Sequence, residues 1–403
     1  PKVVSDAMES AKNMENINDQ MVYNNFNHYF GKITDPRQSW KIEHKLTEIL
    51  FITVLATIAG CEDFEEIGEY ARQKKSWLIT FLELPGGIPS HDTFNRVMCL
   101  VEPHEFEANF ISWVSDYVHP GNEQPKEDEK EVIPIDGKTV CNSINKRKGN
   151  KAIHMVSALS TKYGLILGQQ KCAEKSNEIT AIPLLLSMLD IKDSIVTIDA
   201  MGCQKKIAKE IIAGGADYIL ALKDNQGNLY KEVMDFFEKM KHPEFAHYLY
   251  QQDSQLDKGH GRIEQRDCMT VNNLSWLFEI QGWEGIRSIA KITAIVLKEG
   301  KETKEERYYI SSLKGNAVQM NRAIRKHWAI ENSLHWVLDV TFNEDDCRVK
   351  TGHGAENLSI VRRIAINKLK NDSSQKRSLK IKRKLAGWDN DYALKIFNEM
   401  MAA

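Results

Sequence analysis

The order of patterns along the 403-residue chain predicts an α/β protein: a mixed sheet with helices on both faces, an all-helical N-terminal domain and a β-rich insertion. Three observations carry this. Residues 42–113 repeat their apolar positions at helical spacing, residues 132–240 alternate short branched runs with amphipathic stretches, and residues 243–316 revert to short β-like runs parted by Gly and charge. The chain is 42% hydrophobic and 27% charged, a globular composition, and its length suggests two or three domains at roughly 150 residues each.

Residues 1–20 are polar without an apolar period and read as a loose lead-in to a helical domain over 21–120. IEHKLTEILFITVLATIAG sets apolar residues at 42, 46, 49, 50, 54, 55 and 58, a wide stripe at i, i+3, i+4 spacing. Further helices are predicted over 63–73, 76–83 and 90–99, the last with Ser90 as N-cap and Asp92 in its first turn. Helix 90–98 reads either as a nucleic-acid-reading element or as ordinary packing. GNEQPKEDEKE (121–131), with five acids, closes the domain as a linker.

VIPID, KAIHMVSALS and GLILGQQK then read as three successive strands. SNEITAIPLLLSMLD is a helix with Ser176 as N-cap, although Pro183 counts against it unless placed early. SIVTIDA, CQKKIAKEIIAGG, DYILAL and NLYKEVMDFFEKM follow as strand, helix, strand and helix. The core is thus expected over 132–242 and 317–370, split by an insertion over 243–316. A long amphipathic helix spans about 321–340, and 371–403 forms a basic tail.

Lys and Arg number 54 against 56 Asp and Glu, so any polyanion-binding surface must be local. One block qualifies: residues 362–384 hold ten basic side chains against Asp372 alone, a net of plus 9. It is either a phosphate-tracking surface or a solvated tail. The longest apolar run, 49–60, is too short for the roughly 18 residues of a membrane span, and residues 1–16 lack the apolar region of a secretory signal. A cytoplasmic location is expected. The seven cysteines never fall within four residues of each other, which disfavours a zinc knuckle and a disulfide framework.

Asp136 ends one apolar strand and Asp199 another, where α/β sheets place ligands. Two such acids suit hard divalent cations; singly, each could cap the next helix. A third acid lies in the helix carrying His327, Glu331 and His335, which at i, i+4 and i+8 share one face. That triplet is open to two readings, metal ligands or a polar stripe beside packed Trp328 and Trp336.

These segments resemble a known family, the DDE transposases of bacterial insertion sequences, in the group of H-repeat-associated proteins. The resemblance covers nearly the whole chain. It rests on IDGKTV (135–140), EKSNEITAIPLLL (174–186), VTIDAMGCQ (196–204), YILALKDNQGNL (218–229), HGRIEQR (260–266), YYISSL (308–313), HWAIENSLHWVLDVTFNED (327–345) and AGWDNDYALK (386–395). It implies a ribonuclease-H-like core in which Asp136, Asp199 and Glu331 match the three catalytic, metal-holding acids, with 243–316 as an insertion domain. In many related transposases a Tyr stands seven residues before the third acid, an Arg four before it and a Lys seven after it. Here those positions are Ile324, His327 and Leu338, and Arg325 is the candidate to supply the missing charge.

The implied cofactor is a pair of Mg²⁺ ions, with Mn²⁺ as substitute, and the implied chemistry is in-line displacement at phosphorus. The implied partner is DNA, both transposon ends and target, bound by a homodimer assembled on it near the nucleoid. Candidate DNA contacts are His260, Arg262 and Arg266 of HGRIEQR, Arg325, His327, Lys138 beside the first acid, and Lys382 and Arg383 in the basic block. The rival functions are a domesticated DNA-binding protein without transposition activity and a metal-dependent nuclease that cleaves without joining.

Overall fold

The computed structural model describes residues 19–118, 130–144, 151–173, 178–245, 249–259 and 261–400. Residues 1–18, most of the expected linker, Ser176 and His260 lie outside the described residues. The chain divides into two compact units: one joins residues 1–120, 140–153 and 337–403, the other 121–139 and 154–336.

The second unit is built on a nine-stranded sheet of order β3-β2-β1-β4-β5-β9-β8-β7-β6. Strands β1 (Val132–Thr139), β2 (His154–Leu159) and β3 (Ile166–Lys171) run antiparallel in sequence. β4 (Ile195–Ile198) and β5 (Asp217–Leu222) pair parallel to β1 and to each other. The first helix here, Glu178–Met188, packs on β2 and β3 and runs through Pro183; Lys205–Ala213 packs on β5 and Gly227–Lys239 on β9. β1 to β5 form the ribonuclease-H-like arrangement that the resemblance implied.

The expected separate insertion is corrected. β6 (Tyr250–Gly259), β7 (Arg262–Val271), β8 (Ser288–Lys298) and β9 (Lys301–Ser311) form an antiparallel meander whose last strand pairs with β5. One hydrogen-bond ladder therefore continues through both segments. The β8–β9 turn has positive φ at Glu299 and Gly300, as a two-residue hairpin requires. Helix Ala317–His327 crosses the other face, where Met320, Ala323 and Ile324 pack on Val132, Ile195, Ile219 and Ile292. Numbering helices in chain order makes these four α7 to α10.

In the first unit, α1 (Asp19–Phe30), α2 (Leu46–Ile58), α3 (Phe64–Gln73), the one-turn α4 (Lys75–Leu78), α5 (His91–Leu100) and α6 (Pro103–Val118) precede the sheet. Ser90 caps α5 as expected, its Oγ accepting from the Thr93 N–H at 3.2 Å. The predicted helix 76–83 stops after one turn. The chain beyond is instead tied to fully buried Glu48, which accepts from the Glu83 N–H at 2.9 Å and the Leu84 N–H at 3.2 Å.

After the short α11 (Trp336–Val340), helices α12 (Gly354–Asn371), α13 (Leu379–Trp388) and α14 (Asn390–Asn398) return to this unit. α12 packs on α2, α5 and α6, so α2 is buried all round rather than along one stripe. Leu50, Phe51, Ile52 and Leu55 are fully enclosed, each contributing about 1.5–3 kcal/mol by burial.

This corrects the basic tail: 371–400 is folded, and much of the charge in 362–384 lies inside. Arg362, Arg363, Lys368, Lys382 and Arg383 are all buried. Glu344, itself fully enclosed, lies 3.3 Å from Arg363 and 3.9 Å from Arg362. Lys368 donates to the carbonyls of Phe397 and Glu399 and stands 4.5 Å over the Trp113 ring. Lys382 donates to the Leu369 carbonyl, and Arg383 donates to the Thr57 carbonyl while stacking 4.1 Å over Phe342. These cations cap interior carbonyls and carboxylates instead of facing solvent.

Removing one member of a buried ion cluster strands the rest. Glu344→Ala should lower the unfolding free energy by about 3 kcal/mol or more in a urea titration, whereas exposed Lys384→Ala should change it by no more than about 0.5 kcal/mol.

Candidate active site

Side chains alternate across a strand, so Val132, Pro134 and Asp136 share the face that α10 covers, as do Ile195, Thr197 and Asp199. Parallel register aligns Ile135 with Ile198, so the two aspartates follow side by side at the ends of β1 and β4. Asp199 Oδ1 accepts from the N–H groups of Met201 and Gly202 at 3.0 and 3.4 Å, which fixes its carboxylate in the turn.

Glu331 follows α10 and opens a π-helical turn, Glu331–His335. Such i+5 turns are rare and recur at functional sites. Here it keeps Glu331 and His335 on one side: His335 Nδ1 is 3.5 Å from Glu331 Oε2 and 3.7 Å from Asp136 Oδ2. Among the described residues, these three form a group whose donor atoms all lie within 4.8 Å of one another.

The expected His327, Glu331 and His335 triplet is therefore corrected. His327 turns away, its Nδ1 3.0 Å from Thr197 Oγ1, and burial holds it down to about 4. Trp328 and Trp336 are exposed rather than packed, and the Arg307 guanidinium covers the Trp328 ring at 4.9 Å.

Asp136, Asp199 and Glu331 line one cleft with Lys223, Arg307 and Trp328. Burial first, then the nearby charges of Asp199, Glu178 and Glu331, push the Asp136 carboxyl up to about 7, against the Gly137 N–H. Asp199 is also raised, by burial and then by Glu178, with the N–H groups of the turn and Lys223 opposing. Carboxylates crowded in this way are stabilised by a cation between them, and oxygen-rich donor sets of this kind fit Mg²⁺ or Mn²⁺.

The remaining candidates scatter. Arg262 and Arg325 keep partly exposed side chains and converge on Glu264 at 3.3 and 3.2 Å, with Asp257 3.5 Å from Arg325. Arg266 is buried beneath them, 3.9 Å from Glu264, and burial followed by Arg325 lowers its pKa. Lys138 is buried along β1 and donates to the Thr139 carbonyl at 3.4 Å. As free phosphate contacts, Arg266, Lys138, Lys382 and Arg383 are corrected by their burial. Residue-by-residue reading missed Glu178 and His154, because an acid at a helix start is an ordinary feature.

Residues 127–368 match the family described as transposase DDE domain, and residues 27–114 the family described as DDE_Tnp_1-associated. The "H repeat-associated putative transposase YhhI" of Escherichia coli K12 is 42% identical over 367 residues, 89% of this chain and 94% of that protein. The "Putative transposase YncI" of E. coli O157:H7 is 41% identical over 371 residues, 90% of this chain and 92% of that protein. The cryo-EM structure of the piggyBac transposase synaptic complex with hairpin DNA aligns over 96% of this chain and 82% of that chain, at 11% identity and a TM-score of 0.41. With its DDE domain matched across more than half the chain, this protein belongs to the DDE transposase family.

Proposed function

We propose that this protein is a divalent-cation-dependent DNA transposase, in which Asp136, Asp199 and Glu331 carry phosphodiester hydrolysis and strand transfer at the ends of an insertion sequence. The observation that supports it most is the meeting of three acids from two strand ends and a helix in one cleft. Bound there, divalent cations would activate the attacking oxygen and stabilise the leaving one. The turn N–H groups hold Asp199 Oδ1 and leave its second oxygen for a cation. His335 stands within 4.8 Å of the Asp136 and Glu331 donor atoms and is placed to join them as a nitrogen ligand. Lys223 and Arg307 supply positive charge along the cleft, where a scissile phosphate needs it.

The surface around Arg262 sets three guanidinium groups against Glu264 and Asp257, a local excess of positive charge on the strands that extend the sheet. It is the part of the expected DNA-contacting run that remains accessible. Among the described residues no helix is long and apolar enough to cross a membrane.

Asp199→Asn keeps shape and removes charge, so cleavage of end-bearing DNA with Mg²⁺ should fall by roughly a thousandfold, about 4 kcal/mol, while binding in a mobility-shift titration stays near wild type. Near-normal cleavage by the variant would refute the assignment. Joining of a pre-cut end to a plasmid target, followed on gels, distinguishes a transposase from a nuclease, which would yield hydrolysis alone.

Asp136 ionises near 7 in the folded chain and near 4 when unfolded. Between those values the unfolded chain holds fewer protons, so stability falls as pH rises. Metal-free Asp136→Asn should therefore melt above wild type by a margin that opens between about pH 4 and pH 7 and is constant beyond. Adding Mn²⁺ should raise the wild-type melting temperature alone.

Arg262→Ala should weaken binding to specific and random duplexes alike and flatten the log-log salt dependence by about 0.9. An unchanged slope would place DNA elsewhere.

A further inference from the structure

Glu178 opens α7 on the face opposite α10, at the end of the sheet where Asp136 and Asp199 stand. Its Oε1 is 2.7 Å from His154 Nε2, and His154 Nδ1 is 2.8 Å from Thr139 Oγ1. Thr139 and His154 are direct partners across the β1–β2 ladder, so the imidazole is held from both sides. Only 11% of the Glu178 side chain reaches solvent.

The backbone beside Asp136 makes room for this pair. A Cβ on Gly137 would collide with Glu178 Oε1 and with His154 Nε2, so the residue after the first acid has to lack a side chain. An acid that merely complements a helix dipole stands in water and needs no such clearance. Glu178 is instead enclosed, and its charge raises the carboxyls of both Asp136 and Asp199. Enclosing a further negative charge beside others is unfavourable unless a cation is shared among them.

We propose that Glu178, anchored by His154 and Thr139, is a fourth carboxylate ligand of the divalent-cation site, acting with Asp199 across the sheet end from Glu331. This rests on the metal-dependent reading above and extends it. The donors then fall into two groups that share Asp136: Glu331 and His335 on the α10 face, Asp199 and Glu178 towards α7. Glu178 thus belongs to the machinery that holds the ions, and His154 is a positioning residue that keeps its carboxylate turned inward.

The test is Mn²⁺ binding to the whole chain without DNA, read from the free-ion electron paramagnetic resonance signal, for wild type, Glu178→Gln, His154→Gln and Asp136→Asn. Glu178→Gln should weaken one class of Mn²⁺ site by about tenfold or more and leave the other in place, and His154→Gln should weaken the same class by about tenfold. Asp136→Asn should weaken both classes. Wild-type affinity and stoichiometry in Glu178→Gln, with binding lost in Asp136→Asn, would overturn the fourth ligand and leave the three-acid site standing. Wild-type binding in Asp136→Asn would overturn the metal site and this proposal with it. Should Glu178→Gln fail to melt cooperatively, His154→Gln decides, and wild-type affinity there overturns the proposal.

Discussion

The parallel pairing of β1 with β4 is the constraint from which the site follows. Register from Val132 with Ile195 to Ile135 with Ile198 makes Asp136 and Asp199 neighbours at the same end of two adjacent strands. Parallel neighbours cannot be joined by a tight turn, so the chain needs a long crossover, here β2, β3 and α7. β3 runs in the direction of β1 and α7 returns against it, which sets the first residue of α7, Glu178, at the end where the aspartates lie. β9 runs opposite to β5, and α10 then turns back towards the same end, carrying Glu331 with it. Connectivity alone thus gathers carboxylates from four elements.

That gathering is unfavourable in the absence of a counter-charge, and the fold offsets it in part locally. The N–H groups of Met201 and Gly202 hold Asp199, and the N–H of Gly137 acts on Asp136, yet burial and mutual repulsion still raise both carboxyls. A site that is strained without its ligand and relieved by it is the usual consequence of arranging like charges for function. The rest of the sheet supplies the rigidity, through the apolar packing of Met320, Ala323 and Ile324 against β1, β4 and β5.

The helical unit shows the opposite use of charge. Arg363 beside Glu344, and Lys368 and Lys382 against backbone carbonyls, are interior groups whose partners are all supplied by the fold. Their role is to satisfy buried carbonyls and one buried carboxylate, so a block with a net of plus 9 in the sequence offers far less charge to a polyanion than its count suggests.

By itself the sequence determined the α/β class, the helices before the sheet, the strands from β1 to β5 and the three matched acids, because apolar periodicity and strand-end residues are local properties. Tertiary structure decided what depends on partners distant in the chain. Whether β6 to β9 stand apart or extend the sheet turns on one edge pairing, between β5 and β9. Whether α2 buries one stripe or all its sides turns on α12, some three hundred residues later. Whether a basic side chain faces solvent or the interior turns on which carbonyl or carboxylate lies within its reach, as with Arg383 and Thr57. The place of Glu178 was hidden for the same reason: an acid at a helix start looks solvated until the crossover, the glycine at 137 and His154 close around it.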